Sequence, residues 1–402
     1  MPYNSRVASR RFGAQSAYSS RRSSGRSRQK GGLKKDYIHP SRFVKQANPV
    51  VQEEYKSQYT FSDFVMHPLL AGNIERKGFT APSPIQDKAI PHGLAGKDVI
   101  GIANTGTGKT IAFAIPVLQR LLTNRNSSAL VIAPTRELAQ QIEEEFKTVA
   151  KGSGLFGALL IGGAGMGGQL RDLRNSPQIV IGTPGRIKDH IERHTLDLAL
   201  FDTVVLDEVD RMLDMGFIDD VRDILSQLAE ERQSFFFSAT LDYKVEDLIR
   251  NFSNDPVTVS VKTGNTSDNV HQDIVCYEAA GDKIEQLHDL LTKPEITKAI
   301  VFDDTQRSVE RLSKELQSRG FKADDIHGGK TQSQRQRALD RFKKGQISVL
   351  VATDVAARGI DVADISHVIN YSTPQNYETY IHRIGRAGRA GKVGYALTFV
   401  EQ

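Results

Sequence analysis

From about residue 60 onward, short apolar runs alternate with longer stretches whose apolar residues recur every three or four positions. The runs are DVIGIA (98–103), ALVIAP (129–134), LLIGG (159–163), QIVIGTP (178–184), TVVLDE (203–208), SFFFSAT (234–240) and VTVSV (257–261). They read as strands buried on both faces, the signature of a parallel sheet covered by helices. Between them, Leu138, Ile142, Phe146 and Val149 recur at helical spacing in RELAQQIEEEFKTVA. The polar stretch VKTGNTSDNVH (261–271) breaks the pattern and reads as a linker. A second series follows: DIVCYE (273–278), AIVFDD (299–304), ADDIH (323–327), SVLVATD (348–354), HVINYS (367–372) and YALTFV (395–400). Two α/β domains of similar build are expected, over 46–260 and 272–402.

Composition fits this picture: 402 residues, 39% hydrophobic and 25% charged, are enough for two cores. No run of about 18 apolar residues suggests a membrane span. The opening MPYNSRVASRR lacks the apolar segment of a secretory signal. A single cysteine, Cys276, rules out an internal disulfide and a Cys-based metal set, and fits a reducing, cytoplasmic setting.

Charge changes the picture at one end. Residues 1–45 carry twelve Lys/Arg and one acidic residue, Asp36. Against +5 for the whole chain, this leaves the remainder net acidic. The segment is rich in Ser, Arg and Gly and too poor in aliphatics to fold alone, so a basic disordered arm is expected over 1–45. Tyr3, Phe12 and Tyr18 among its arginines favour non-specific RNA binding. A plain solvated tail, a mitochondrial presequence and a nuclear signal stay open, although no Leu or Ile precedes Leu33 to build an amphipathic presequence.

The candidate chemistry starts at ANTGTGKT (103–110), between the strand DVIGI and the apolar helical stretch IAFAIPVLQRLL. Gly106 and Gly108 let backbone N–H groups surround phosphate oxygens. Lys109 suits the β- and γ-phosphates, and the Thr110 hydroxyl suits Mg²⁺. A flexible glycine loop with a surface lysine is the plainer alternative, and the strand–loop–helix context speaks against it. Asp207 and Glu208 sit at the carboxyl end of TVVL, where open α/β sheets bind ligands. Alone they would be a solvated turn. Beside a phosphate loop, Asp207 can hold Mg²⁺ through water and Glu208 can orient and deprotonate an attacking water.

With these motifs in place, the chain resembles the DEAD-box family of ATP-dependent RNA helicases over about residues 60–400, its tetrad reading DEVD (207–210). The resemblance implies two tandem RecA-like domains, each a mostly parallel sheet with helices on both faces. GFTAPSPIQ (78–86) is similar to the family's adenine-reading motif, so Gln86 and Phe79 are expected on the base. Ala103, Asn104, Thr105, Gly106, Thr107, Gly108, Lys109 and Thr110 are expected on the phosphates. PTRELAQQ (134–141), GG (162–163) and TPGR (183–186) look like RNA-contacting segments, offering Thr135, Arg136, Gly163, Thr183 and Arg186. SAT (238–240) is the family's coupling segment, in which Ser238 and Thr240 are expected to bond Asp210 and His382. In the second domain, QSQR (332–335), ATDVAARGID (352–361) and YIHRIGRAGRAG (380–391) carry the match. It implies arginine fingers at Arg386 and Arg389, nucleotide contacts at Gly359 and Asp361, and RNA or interdomain positions at Arg335, Thr353 and Arg358.

Four departures stand out. Val209 replaces the family's Ala, and its two extra methyls risk overpacking. Ala387 replaces a Thr, and Gly329 replaces an acidic or polar residue. Family members also usually continue with another helix beyond the last strand. None removes a catalytic group. The expected protein is a monomeric, RNA-stimulated ATPase using ATP and Mg²⁺, with little sequence specificity and no membrane partner. Its rivals are a DNA translocase, which DNA-stimulated hydrolysis would reveal, and a non-catalytic RNA clamp, which would hold RNA without hydrolysis.

Overall fold

The computed structural model describes residues 38–48, 55–104, 106–261, 266–357, 362, 364–388 and 393–402. Residues 1–37 of the expected arm, and the candidate residues Thr105, Arg358, Gly359, Asp361 and Arg389, lie outside the described residues. Among the described residues, each of the thirteen apolar runs is a strand: β1 (Val99–Ile102), β2 (Ala129–Ile132), β3 (Gly157–Leu160), β4 (Ile179–Gly182), β5 (Thr203–Leu206), β6 (Gln233–Ser238), β7 (Val257–Ser260), β8 (Val270–Tyr277), β9 (Ala299–Phe302), β10 (Ala323–Ile326), β11 (Val349–Ala352), β12 (His367–Asn370) and β13 (Gly394–Glu401).

They form two sheets, ordered β3-β4-β2-β5-β6-β1-β7 and β10-β11-β9-β12-β13-β8. Neighbours run parallel, from β1–β6 in the first sheet to β13–β8 in the second. Parallel neighbours need crossovers, and the intervening amphipathic helices supply them. In Arg136–Val149 the buried face is Leu138, Ala139, Ile142, Phe146 and Val149, as the sequence spacing predicts. Two apolar clusters cover the faces of the first sheet, one around Phe113, Phe235 and Phe237, the other around Phe236, Val204 and Val209. Clusters around Phe342 and Phe399 do the same for the second. No helix among the described residues is long and apolar enough to cross a membrane.

The structure moves two sequence-drawn boundaries. Strand β8 begins at Val270, so Val270 and His271 belong to the second sheet rather than to the linker. Residues 38–48, assigned to the arm and the start of the first domain, pack on the second sheet, with a 3-10 turn at Pro40–Phe43 and Phe43 buried. Ile38 and Phe43 are the buried apolar residues of a largely polar stretch, and average composition concealed them.

The strand order places the site. β1 and β5 flank β6, so the loop after β1 and the acidic end of β5 lie two strand spacings apart, about 10 Å. That gap suits a lysine side chain. β1 is fitted closely against β6: a Cβ on Gly101 would overlap the Phe237 ring. Gly101→Val is therefore expected to destabilise the chain by about 1–3 kcal/mol, measured as a lowered urea midpoint at unchanged slope.

Candidate nucleotide and nucleic-acid site

The loop after β1 folds back because Gly106 and Gly108 take φ of 80° and 90°, conformations that cost a glycine little. The helix Lys109–Thr123 starts directly after Gly108. Thr107 Oγ1 donates to Asn104 O at 2.8 Å and Ser83 Oγ donates to Thr107 O at 2.7 Å, which stiffens the loop. Gly108 has a second role. A Cβ there would overlap Gln86 Nε2, which donates to Gly108 O at 3.0 Å. Gln86 Oε1 accepts from Ser83 N at 2.9 Å, closing a capping box on the helix Pro84–Leu94. The expected adenine reader is thus wired to the phosphate loop. Beside it, Phe79 stacks on Phe61 with centroids 5.8 Å apart.

Lys109 is only 6% exposed, and its Nζ makes no hydrogen bond among the described residues. Its nearest counter-charge is Asp207 Oδ1 at 3.8 Å. A buried ammonium without a hydrogen-bond partner among the described residues, at the start of the helix after the glycine loop, fits an anionic ligand such as a phosphate. Burial pushes the Asp207 carboxyl up to about 6, even with Lys109 beside it. Burial also works against Glu208, but Arg211, Lys109 and Arg386 outweigh it and hold that carboxyl well below the usual range. Arg211 Nη1 donates to Glu208 Oε2, one helical turn away. Glu208 itself has φ of 54° and ψ of 55°, a left-handed conformation rare for a side chain of its kind, and it caps the helix Val209–Asp214. Val209 is fully buried in the apolar cluster behind the strand end.

In the first domain Asp210 is hydrogen-bonded to both Ser238 and Thr240. Asp210 Oδ2 accepts from Ala239 N at 3.0 Å, Thr240 N at 2.9 Å and Thr240 Oγ1 at 3.2 Å. Asp210 N donates to Ser238 Oγ at 3.3 Å. His382 lies on the helix Tyr377–Ile384 of the second domain, and Arg386 Nε donates to its carbonyl at 3.4 Å.

The candidate RNA face is built at other strand ends. Thr135 Oγ1 accepts from Leu138 N at 3.3 Å and caps the helix Arg136–Val149. Arg136 lies across Gly162 and Gly163, where any Cβ would strike its guanidinium. The glycine pair is a seat for an arginine. Thr183 precedes the helix Pro184–Glu192, and Arg186 Nη1 donates to Ala164 O at 3.3 Å. Thr353 follows β11 and is buried. Arg335, on the helix Gln332–Lys343, spends its guanidinium on Glu137 of the first domain at 2.8 Å. Gln332 Nε2 adds contacts to Glu137 at 3.3 Å and Gln140 at 2.9 Å.

Sequence reading missed three residues that hold this arrangement. Arg211 restrains Glu208; its i, i+3 spacing from an acid was the available signal. Glu137 receives Arg335, and nothing local marks an acid for a distant partner. Arg383 is 2% exposed and pairs twice with Asp354, at 2.5 and 2.7 Å, while donating to Ser372 O at 2.7 Å. It fixes the helix that leads to Arg386.

Comparison with known proteins identifies a family for both sheets. Residues 83–248 match a family model described as DEAD/DEAH box helicase, and residues 282–391 one described as helicase conserved C-terminal domain. The DEAD-box ATP-dependent RNA helicase CshA of Bacillus licheniformis is 46% identical over 342 residues, covering 85% of this chain and 70% of its own length. The ATP-dependent RNA helicase CshA of Listeria monocytogenes is 45% identical over 342 residues, covering 85% and 66%. The chain thus spans about two thirds of the length of these relatives. Among solved structures, Mss116p lacking its NTE and C-tail, bound to single-stranded RNA and AMP-PNP, aligns with a TM-score of 0.78 at 31% identity, over 88% of this chain and 77% of its own. S. cerevisiae Dbp5 bound to RNA and ADP BeF3 gives 0.73 at 31%, over 85% and 90%.

One substitution isolates the loop geometry. Gly108→Ala combines positive φ with overlap of Gln86. It is expected to weaken binding of a fluorescent ATP analogue by roughly ten-fold or more, equivalent to 1.4 kcal/mol, with unchanged circular dichroism.

Proposed function

The chain belongs to the DEAD-box family of ATP-dependent RNA helicases, and we propose that it hydrolyses ATP when RNA draws its two domains together, opening short duplexes or remodelling RNA–protein complexes. One observation carries this reading: Arg335 of the second domain pairs with the buried Glu137 of the first at 2.8 Å, and Arg386 lies near enough to Glu208 to help hold its carboxyl low. A site assembled from both domains is complete only when they are closed, and RNA held by both favours closure.

In this reading Gln86 and Phe79 take the adenine, and the backbone of 103–108 with Lys109 takes the phosphates. Asp207 and the Thr110 hydroxyl would hold Mg²⁺, which supplies charge neutralisation between phosphate oxygens. Glu208 orients the attacking water and accepts a hydrogen bond, and then the proton, from it. Arg386, joined by Arg389, neutralises charge on the transferring phosphoryl group. Asp210 and the Ser238–Thr240 segment sense the change at the strand end. Thr135, Arg136, Gly163, Thr183 and Arg186 offer cations, hydroxyls and amides to phosphates and sugars, so little sequence preference follows. By the family resemblance, Thr353, Arg358 and Arg335 are assigned to RNA or to the domain contact, and Gly359 and Asp361 to the nucleotide. We place the protein in the cytoplasm as a monomer.

The deciding experiment is ATP hydrolysis without nucleic acid, with single-stranded RNA and with single-stranded DNA. Stimulation by RNA alone, absent in Lys109→Ala, is the expected outcome; equal stimulation by DNA would favour a DNA translocase. Glu208→Gln is expected to bind ATP and RNA but hydrolyse roughly a hundred-fold more slowly. Protons compete with metal for Asp207, whose carboxyl stands near 6. Nucleotide affinity should therefore weaken as pH falls through about 6 when Mg²⁺ is present. The same titration in EDTA should be flat.

A further inference from the structure

Residues 38–48 lie outside every motif, yet they are pinned along their length. Ile38 and Phe43 fill an apolar pocket with Val270, Tyr380, Ile384 and Ala396. The Phe43 and Tyr380 rings stand 4.8 Å apart, and the Arg42 guanidinium lies 3.8 Å over Tyr377. Tyr377, Tyr380 and Ile384 all belong to the helix that ends two residues before Arg386. Lys45 and Gln272 exchange backbone hydrogen bonds of 2.9 and 2.8 Å. Lys45 Nζ reaches Asp268 Oδ1 at 2.6 Å, and Asn48 N donates to Asp268 O at 2.9 Å. Asp268 stands in the connection between the domains.

The chain then takes hold of the other domain. Tyr55 Oη, Gln58 N and Tyr59 N donate to the Asp87 carboxylate at 2.6, 2.9 and 3.0 Å. Asp87 is 2% exposed and is the neighbour of Gln86 on the helix Pro84–Leu94. One anchor therefore rests on the finger helix and the next on the adenine-side helix, joined by six residues of chain.

We propose that the anchored stretches 38–48 and 55–59 form a strap that positions the arginine-finger helix against the ATP site. This rests on the reading of Arg386 as a finger. Arg383 and Asp354 hold that helix on one side. Phe43 and Arg42 hold it through Tyr380 and Tyr377. Residues 55–59 then grip Asp87, next to Gln86, so the same N-terminal region is anchored on both halves of the site. Phe43 and Arg42 are positioning residues, acting through Tyr380 and Tyr377.

The test uses the full chain, with Phe43→Ala, Arg42→Ala and Phe43→Leu compared with wild type. Phe43→Ala is expected to lower kcat with saturating single-stranded RNA by roughly ten-fold. It should also raise the RNA concentration for half-stimulation. Affinity for fluorescent ADP without RNA should not change, because Gln86 and the phosphate loop are untouched. Arg42→Ala should show the same split at smaller size, and Phe43→Leu should recover most of the loss. A lower melting temperature with kcat and RNA half-stimulation unchanged would make the segment a mere staple and overturn the proposal. If Phe43→Ala does not fold, unchanged kinetics in Arg42→Ala overturn it. Absence of RNA-stimulated hydrolysis in wild type would instead refute the finger reading. Donor and acceptor labels on the two domains, in a Cys276→Ser background, then decide about the strap: broader distances in Arg42→Ala support it and identical ones sink it.

Discussion

Buried charge is the constraint on which the molecule turns. Lys109, Asp207, Glu208 and Arg211 all lie below 9% exposure at the carboxyl ends of β1 and β5. Taking each ion out of water costs several kcal/mol, and mutual attraction returns that cost only in good geometry. Here the pairing is deliberately incomplete. Glu208 has Arg211, whereas Lys109 stands 3.8 Å from Asp207 and its Nζ has no hydrogen bond among the described residues. The unsettled pair lies beside the glycine loop after β1, and the settled pair holds the Glu208 carboxylate at the end of β5. Rigid parallel strands keep these groups from relaxing toward one another, so the fold stores the electrostatic demand that the ligand answers.

The second domain works by the opposite rule. Arg383 is fully satisfied by Asp354, Asn370 and Ser372, and it stacks over Phe302. A satisfied buried arginine is a fixture. It lets Arg386, three residues on, be presented at a defined place. Between the domains, Arg335 and Gln332 meet Glu137 and Gln140. Those contacts lie between the two domains and not within the core of either half.

The strands were legible because each is buried on both faces and reads as an unbroken apolar run; all thirteen fell where the runs are. Lys109, Asp207 and Glu208 were legible because phosphate chemistry restricts residue types at a strand end. What escaped was pairing over long sequence separation. Glu137 and Arg335 are 198 positions apart and Phe43 and Tyr380 are 337 apart, and neither pair shows a local pattern. Gly162 and Gly163 were visible as a motif, but not as the seat of Arg136, because a cradle for a side chain looks in sequence like a turn. The arm's composition averaged away Ile38 and Phe43, the residues that dock.

The position of β8 adds a consequence of another kind. It is the outermost strand of the second sheet, eight residues long, with β13 on one side. On its far side, Lys45 and Gln272 form an isolated antiparallel bridge. Edges of this length recruit strands from other molecules unless something blunts them. The docked segment is such a guard, with Lys45 and Phe43 at the rim. A chain shortened to begin at Phe61 keeps every motif residue but bares that edge. Its weakness in the test tube would be self-association, at concentrations where the intact chain stays dispersed.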